Sequence, residues 1–159
     1  MAYHRKEFDC GNTSLNNYIQ TQVSQDVKKK LAACFVLLSS DEITVHGYYT
    51  LSNGSIPYES LPEGLRIKYP KSYNYIPVTL LGRLAIDTNV KGKGLGSKIL
   101  IDALKRCLVV SENELGSVAV IVDPIDQQAE RFYHHFGFVK LPNSGKMFLD
   151  MKTIKQLVL

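Results

Sequence analysis

The feature that most constrains the fold of this chain is a glycine-rich run between two apolar segments. The run has glycine at three alternate positions and two lysines, in the order Lys91, Gly92, Lys93, Gly94, Leu95, Gly96, Ser97. Glycine lets the backbone approach a ligand and adopt φ angles that other residues avoid. A helix that begins here directs free N–H groups and its macrodipole at an anion. The run therefore predicts a pyrophosphate-binding loop, with a solvated glycine turn as the alternative.

Apolar periodicity predicts strands alternating with helices along the chain. The predicted helices run from Asn12 or Thr13 to the lysines at 28–30, and over residues 61–68, 94–110 and 126–136. The predicted strands cover residues 31–38, 43–51, 78–86, 117–122 and 146–151. This alternation indicates an α/β or α+β fold with one layer of sheet covered by helices.

Three local signals refine this pattern. Gly82 and Arg83 interrupt the strand over 78–86 and predict a kink or bulge there. Residues 52–75 are rich in proline, and we expect a long excursion, which in a compact domain is usually functional or mobile. Gly137 is expected to end the last helix in the left-handed C′ conformation. Apart from these three signals, the apolar sequence of residues 31–38 predicts a buried strand.

Composition excludes several classes of protein. The chain has 159 residues, of which 45% are hydrophobic and 21% charged, and this predicts one soluble domain over residues 1–159. No apolar run is long enough to span a bilayer and no signal peptide is apparent, so we expect a cytoplasmic protein. Cys10, Cys34 and Cys107 are far apart, which argues against a disulfide framework or a zinc site. No metal is predicted.

Two motifs resemble the GNAT superfamily of N-acetyltransferases. The first joins residues 83–87 (Arg-Leu-Ala-Ile-Asp) to the glycine run, and the second joins residues 129–133 (Ala-Glu-Arg-Phe-Tyr) to Gly137 and Phe138. The family usually has glutamine or arginine where Lys91 stands, and often asparagine where Asp126 stands. The order and separation of the motifs match the family. The resemblance implies one GNAT-like domain whose mixed, mostly antiparallel sheet is flanked by helices.

The same resemblance implies acetyl-CoA as the acetyl donor and a set of residues that bind it. Main-chain groups of Leu84, Ala85 and Ile86 would pair with the pantetheine arm, where the sheet of the family splays. The remaining implied cofactor-binding residues are those of the glycine run, Lys91 to Ser97, together with Asp126 and Phe132. Tyr133 would be the general acid that protonates the departing thiolate, with a core aromatic as the alternative. Reference pKa values of about 10 for a phenol and about 8.5 for a thiol make this transfer mildly uphill.

Further segments are similar to one branch of that superfamily, the acetyltransferase toxins of bacterial toxin–antitoxin pairs. They are residues 8–12 (Phe-Asp-Cys-Gly-Asn) with Leu15 and Asn16, residues 47–52, and residues 80–87. The branch implies acetylation of the α-amino group of aminoacyl-tRNA, inhibition by a small ribbon-helix-helix antitoxin, and a homodimer. The candidate RNA-binding residues are Lys28, Lys29, Lys30, Arg66, Lys68, Lys71 and Arg83. Plain solvation is the alternative for the first six, and a structural ion pair for Arg83.

No residue stands out as a general base. His134 and His135 point in different directions on a helix, and His46, Glu59 and Glu63 are weaker candidates. An α-amino group, with a pKa near 8, is already partly neutral at physiological pH, whereas a lysine amine is not. The absence of a base therefore favours an α-amino acceptor. Two alternatives stay open: a free-standing acetyltransferase for small amines or protein N-termini, and a non-catalytic module that binds CoA or RNA.

Overall fold

The computed structural model describes residues 3–159. The helical elements are α1 (Thr13–Asn17), a π-helical turn (Tyr18–Gln22), α2 (Val23–Lys28), α3 (Glu63–Arg66), α4 (Leu95–Asn113), α5 (Gln127–His135) and α6 (Met151–Val158). Single 3₁₀ turns lie at Tyr58–Ser60 and Thr88–Val90. The strands are β1 (Ala33–Leu38), β2 (Val45–Pro57), β3 (Tyr75–Ile86), β4 (Ala119–Val122), β5 (Val139–Lys140) and β6 (Met147–Asp150).

The strands form one six-stranded sheet in the order β1-β2-β3-β4-β6-β5. The β1–β2, β4–β6 and β5–β6 pairs are antiparallel, while β3 and β4 are parallel. The parallel pair needs a crossover between its strands, which α4 supplies because it lies between them in the chain. The predicted fold class, a mixed and mostly antiparallel sheet flanked by helices, is confirmed.

Internal contacts divide the chain into two compact units. The first holds the described residues up to Ser52 together with Leu81–Ala103, and the second holds Asn53–Leu80 with Leu104–Leu159. Strands β2 and β3 and helix α4 each contribute residues to both units. The single domain over residues 1–159 stays a prediction.

Three aromatic side chains lie in the core of the first unit, together with smaller apolar residues. Phe8, Tyr18 and Tyr48 are each no more than 2% exposed. The ring of Tyr48 meets the ring of Phe8 edge-on, with centroids 5.5 Å apart, and its hydroxyl donates a hydrogen bond to the Leu15 carbonyl at 2.6 Å. Because each ring buries a large apolar area, this contact holds the N-terminal segment and α1 against β2.

The core of the second unit is aliphatic and aromatic. Its buried members come from β2, the turns after it, β3, β4, β6 and the segment before β6: Ile56, Tyr58, Leu61, Ile76, Val78, Ala119, Ile121, Leu141 and Phe148. Strand β4 is buried along its whole length, as its apolar sequence predicts for a central strand.

The N-terminal helix has the predicted start but an unpredicted interruption. The Asn12 side chain accepts a hydrogen bond from the Leu15 amide at 3.0 Å, which confirms the cap. After Asn17 the helix widens into the π-helical turn, in which the Val23 amide bonds to the Tyr18 carbonyl. The apolar spacing is compatible with both kinds of turn and so does not reveal this one.

Two strand predictions were wrong. Strand β1 was expected to be buried, but most of its residues are only half-buried because it lies at the edge of the sheet. The excursion expected over residues 52–75 is shorter, because β2 continues to Pro57 and β3 begins at Tyr75. Gly54, one of the two glycines of the expected excursion, lies inside β2, where a Cβ atom would come 2.9 Å from Leu80 Cγ. Glycine is there for close packing, not for a turn.

The C-terminal part contains elements that the sequence did not predict. The last strand, expected over residues 146–151, ends at Asp150, because Asp150 caps α6 by accepting a hydrogen bond from the Thr153 amide at 3.3 Å. Helix α6 and the two-residue strand β5 were both missed. Helix α4, expected over residues 94–110, begins at Leu95 and continues to Asn113.

Helix α5 ends as predicted. Gly137 has φ +100°, its amide bonds to the His134 carbonyl at 2.9 Å, and the Phe138 amide bonds to the Tyr133 carbonyl at 3.3 Å. These two bonds form a Schellman motif.

We expect Gly137→Ala to lower the free energy of unfolding by about 1–2 kcal/mol, because an L residue in the left-handed region carries that strain. The added methyl group would make only an ordinary contact, 3.6 Å from Leu149 Cδ1, so the backbone accounts for the loss. Gly116→Ala is the matched control, since a Cβ there meets no atom within 4 Å and its φ is not positive. Urea denaturation checks both variants. Equal stability of the two would contradict the prediction.

Candidate active site

The glycine run lies in the first unit and leads directly into α4. Gly92 has φ +82° and Gly94 has φ +75°, angles that favour glycine. A Cβ atom at either position would meet no other atom within 4 Å, so the protein leaves open space beside the loop. The loop backbone is therefore accessible to a ligand.

The start of α4 supplies hydrogen-bond donors. The Lys98 amide bonds to the Gly94 carbonyl at 3.2 Å, and the amides of Leu95, Gly96 and Ser97 precede this first helical bond. Such amides have no acceptor within the helix, and together with the macrodipole they favour an anion. Lys93 is exposed in the same loop. A negatively charged ligand is the species that this arrangement fits.

Lys91, predicted to bind the cofactor, has an acceptor within the protein, and its contact with a ligand stays a prediction. Its Nζ donates a hydrogen bond to the Cys10 carbonyl at 2.6 Å. The sequence pattern gave no sign of this contact, since the two residues are 81 positions apart. The N-terminal segment is thereby joined to the loop.

The strand residues predicted to pair with a cofactor lie at the end of β3. The β3–β4 ladder joins Thr79 to Val120 and Leu80 to Ile121, and Leu84, Ala85 and Ile86 lie beyond these pairs. Ala85 and Ile86 are buried, and Leu84 is half-buried. The kink at Gly82 stays a prediction.

Tyr133 lies on α5 in the second unit and is 8% exposed. Its ring meets the rings of Phe132 and Phe138 edge-on, with both centroid distances 5.3 Å. Burial raises the pKa of Tyr133 well above its ordinary value of about 10. The phenol therefore stays protonated at neutral pH and carries a proton that it can donate.

The other residues predicted on α5 have structural contacts. Asp126 caps the helix, and its Oδ1 accepts a hydrogen bond from the Ala129 amide at 2.8 Å. Phe132 is half-buried and also meets the ring of Phe136 edge-on. His134 and His135 are exposed at the end of the helix. A role for Asp126 or Phe132 toward a cofactor stays a prediction.

The candidate RNA-binding residues of the first unit differ in accessibility. Lys28, Lys29 and Lys30 are all exposed where α2 ends, and Lys30 has φ +64°. Arg83 is half-buried, and its guanidinium carbon lies 3.5 Å from the centroid of the Tyr18 ring. This cation–π contact gives Arg83 a structural partner, and a role of Arg83 toward RNA stays a prediction.

Those of the second unit have acidic neighbours. Arg66 Nη1 lies 3.2 Å from Glu59 Oε2, and Lys68 Nζ lies 3.9 Å from Asp150 Oδ2. Lys71 is exposed and lines a cavity of about 630 Å³ with Tyr58 and Tyr69. Arg66 and Lys68 are thus less available to a ligand than the exposed lysines of the first unit, whereas Lys71 is exposed like them.

Residues 3–159 contain no cluster of three or more His, Cys, Asp or Glu side chains arranged for a metal ion. Among the helices of the same residues, none has the length and apolarity to cross a membrane.

Comparison with known proteins was made at the level of family, sequence and structure. The profile of the acetyltransferase (GNAT) domain matches residues 72–152. A tRNA-acetylating toxin of Mycobacterium tuberculosis is 32% identical over 152 residues, which cover 95% of this chain and 88% of the relative.

Solved structures of toxins are similar over almost the whole chain. A tyrosine-to-phenylalanine variant of KacT has a TM-score of 0.91 at 30% identity, covering 98% of this chain and 92% of KacT. AtaT in complex with acetyl-methionyl-tRNAfMet has a TM-score of 0.90 at 30% identity, covering 99% and 94%. AtaTR bound with acetyl-CoA has a TM-score of 0.86 at 30% identity, covering 99% of this chain and 92% of AtaTR. An AtaT variant bound to the C-terminus of the antitoxin AtaR has a TM-score of 0.81 at 27% identity, covering 99% of this chain and 90% of AtaT.

Proposed function

Because the chain belongs to the GNAT family of acetyltransferases, we propose that it transfers the acetyl group of acetyl-CoA to the α-amino group of aminoacyl-tRNA. The observation that carries this proposal is the likeness, along 99% of the chain, to AtaT captured with acetylated methionyl-tRNA. We further propose that the protein is the toxin of a toxin–antitoxin pair. Blocking the amine of an aminoacyl-tRNA removes the nucleophile that peptide-bond formation needs.

The glycine loop would hold the donor by its pyrophosphate. The amides of residues 92–97 and the Lys93 side chain offer positive partial and full charge beside open space. The main chain of Leu84, Ala85 and Ile86 would accompany the pantetheine arm. Asp126, at the start of α5, and Phe132, in the body of α5, are also proposed to bind the donor.

The chemistry needs one proton donor and a neutral amine. The amine nitrogen attacks the thioester carbon, the C–S bond breaks, and the thiolate accepts a proton while the ammonium formed on nitrogen loses one to water. Tyr133, kept protonated by burial, would donate to the sulfur. Its raised pKa makes the transfer uphill, so its hydrogen bond to the sulfur would strengthen as charge develops there, and the proton that Tyr133 gives to the thiolate would be replaced from water.

The acceptor would bind through exposed cations. Lys28, Lys29 and Lys30 are the accessible set in the first unit, and Lys71 is exposed in the second. Contacts between lysine and phosphate release counterions, so affinity for tRNA should fall steeply with salt. We also propose contacts with tRNA for Arg66, Lys68 and Arg83. Their contribution to affinity should be smaller, because each already contacts another side chain of the protein.

The other proposed partner is an antitoxin, by analogy with the relatives of this chain. AtaT binds the antitoxin AtaR through the C-terminus of AtaR. We expect this chain to bind an antitoxin of the ribbon-helix-helix class, to form a homodimer, and to act in the cytoplasm. Co-expression with the product of a neighbouring small gene, followed by size-exclusion chromatography, tests the first two expectations.

Incubation with acetyl-labelled acetyl-CoA and a pool of charged tRNA tests the proposed function. We expect base-labile label in the tRNA fraction, and none on uncharged tRNA, free amino acids or peptides. Label on small amines or peptides but not on charged tRNA would contradict the aminoacyl-tRNA proposal and favour a free-standing acetyltransferase. Binding of CoA without transfer to any acceptor would favour the non-catalytic module.

A further inference from the structure

The segment before α1 is hydrogen-bonded to the connection between β3 and the glycine loop. The Asp9 amide donates to Asp87 Oδ2 at 3.1 Å, and the Thr88 amide donates to the Asp9 carbonyl at 2.8 Å. Asp87 is 6% exposed, and its other oxygen accepts from the Asn89 amide at 2.8 Å. Two distant parts of the first unit are therefore joined immediately before the loop.

The contact closest to the loop is made by Lys91. Its ammonium donates to the Cys10 carbonyl at 2.6 Å, and the next residue is Gly92 with φ +82°. Hydrogen bonds from a charged donor are stronger than neutral ones. This bond holds Lys91, the first residue of the loop, next to the N-terminal segment.

The acceptor carbonyl is itself held in a tight turn. Asn16 Oδ1 accepts from the Cys10 amide at 2.8 Å, and Asn16 Nδ2 donates to Asp9 Oδ1 at 2.9 Å. Asp9 Oδ1 also accepts from the Gly11 amide at 2.9 Å, and Gly11 has φ +88°. Hydrogen bonds from Gly11 and Asn16, with the charge of Lys91, hold the pKa of the Asp9 carboxyl below its usual value.

We propose that this N-terminal turn, residues 8–12, positions the phosphate loop through Lys91, which acts as a positioning residue and not as a phosphate ligand. The inference rests on the proposed binding of acetyl-CoA by the glycine loop. Asn16 is neutral and is hydrogen-bonded to the turn. By holding Cys10, whose carbonyl accepts the Lys91 hydrogen bond, Asn16 would also affect the affinity for the donor.

The test measures CoA affinity by titration calorimetry and the kinetic constants for acetyl-CoA. Lys91→Met removes the ammonium and keeps most of the stem, and Lys91→Arg restores a charged donor. We expect Lys91→Met to raise Kd for CoA and KM for acetyl-CoA about 10-fold, because one charge-assisted hydrogen bond is lost. The kcat should change little. Lys91→Arg should recover most of the affinity.

Asn16→Ala separates positioning from direct binding, and Asn17→Ala is its matched control. Asn17 is the same residue type at the next position and is exposed. We expect Asn16→Ala to raise Kd for CoA in the same direction as Lys91→Met, and the double variant to resemble Lys91→Met alone. Asp9→Asn, an isosteric change at an exposed residue, provides a second probe of the turn if Asn16→Ala lowers the yield of folded protein.

Each outcome has one meaning. If wild-type protein binds CoA and both Asn16→Ala and Asp9→Asn match Asn17→Ala while Lys91→Met is weakened, Lys91 is a direct ligand and the inference is overturned. Additive losses in the double variant overturn it as well. If wild-type protein binds no CoA, it is the proposed function that fails.

Discussion

Tyr133→Phe is expected to lower kcat for acetyl transfer by about 100-fold or more, because a positioned proton donor contributes a rate enhancement of this size. Only the hydroxyl is lost, so the edge-on contacts with Phe132 and Phe138 remain. The affinity for CoA should therefore be unchanged. Single-turnover transfer to charged tRNA, together with calorimetric titration of CoA, measures the two quantities separately.

Tyr58→Phe is the matched control for this substitution. Tyr58 is also 8% exposed and lies in the second unit, where its hydroxyl donates to the Arg66 carbonyl at 2.9 Å. We expect this variant to lose about 1 kcal/mol of stability, the net value of one hydrogen bond, and to keep its kcat. A Tyr133→Phe enzyme with the same kcat as Tyr58→Phe would show that Tyr133 is a core aromatic and not the acid.

The second large effect is expected at the glycine loop. Replacing both Gly92 and Gly94 with alanine puts two L residues at φ +82° and +75°, each at a cost of about 1–2 kcal/mol. The loop then either keeps its shape under strain or relaxes to a shape in which its amides no longer converge. We expect Kd for CoA to rise about 10- to 100-fold, which calorimetry measures directly.

Gly64 and Gly116 provide the control for the loop variant. A Cβ atom at either position also meets nothing within 4 Å, and neither glycine has a positive φ. The double alanine variant at these positions should bind CoA like the wild type. Because no protein atom lies within 4 Å of a Cβ atom added at Gly92 or Gly94, a loss confined to the loop variant comes either from backbone conformation or from contact of the new methyl groups with bound CoA, and both would locate the donor at the loop. Unchanged affinity of the loop variant would contradict the assignment of the loop to the donor.

Patterns with a local cause were recognised from the sequence alone. The glycine run, the Asn12 cap and the left-handed Gly137 were all recognised, because each depends on the conformational preferences of a few consecutive residues. The alternation of apolar segments likewise predicted one layer of sheet covered by helices, whereas the mixed strand directions were implied by the family resemblance. The two family motifs added the acetyltransferase assignment, which the family match supports.

Features that depend on a distant partner were decided only by the tertiary structure. Gly54 falls in the segment that was expected to be an excursion, but it lies inside β2, where Leu80 packs against it. Strand β1 is half-buried because its place in the sheet is the edge, which its own apolar sequence does not encode. Lys91 was expected to face an anion, yet its acceptor is the Cys10 carbonyl, 81 residues earlier in the chain. Local sequence determines which backbone angles a residue can adopt, whereas the partner of a side chain is determined by which segments the fold brings together.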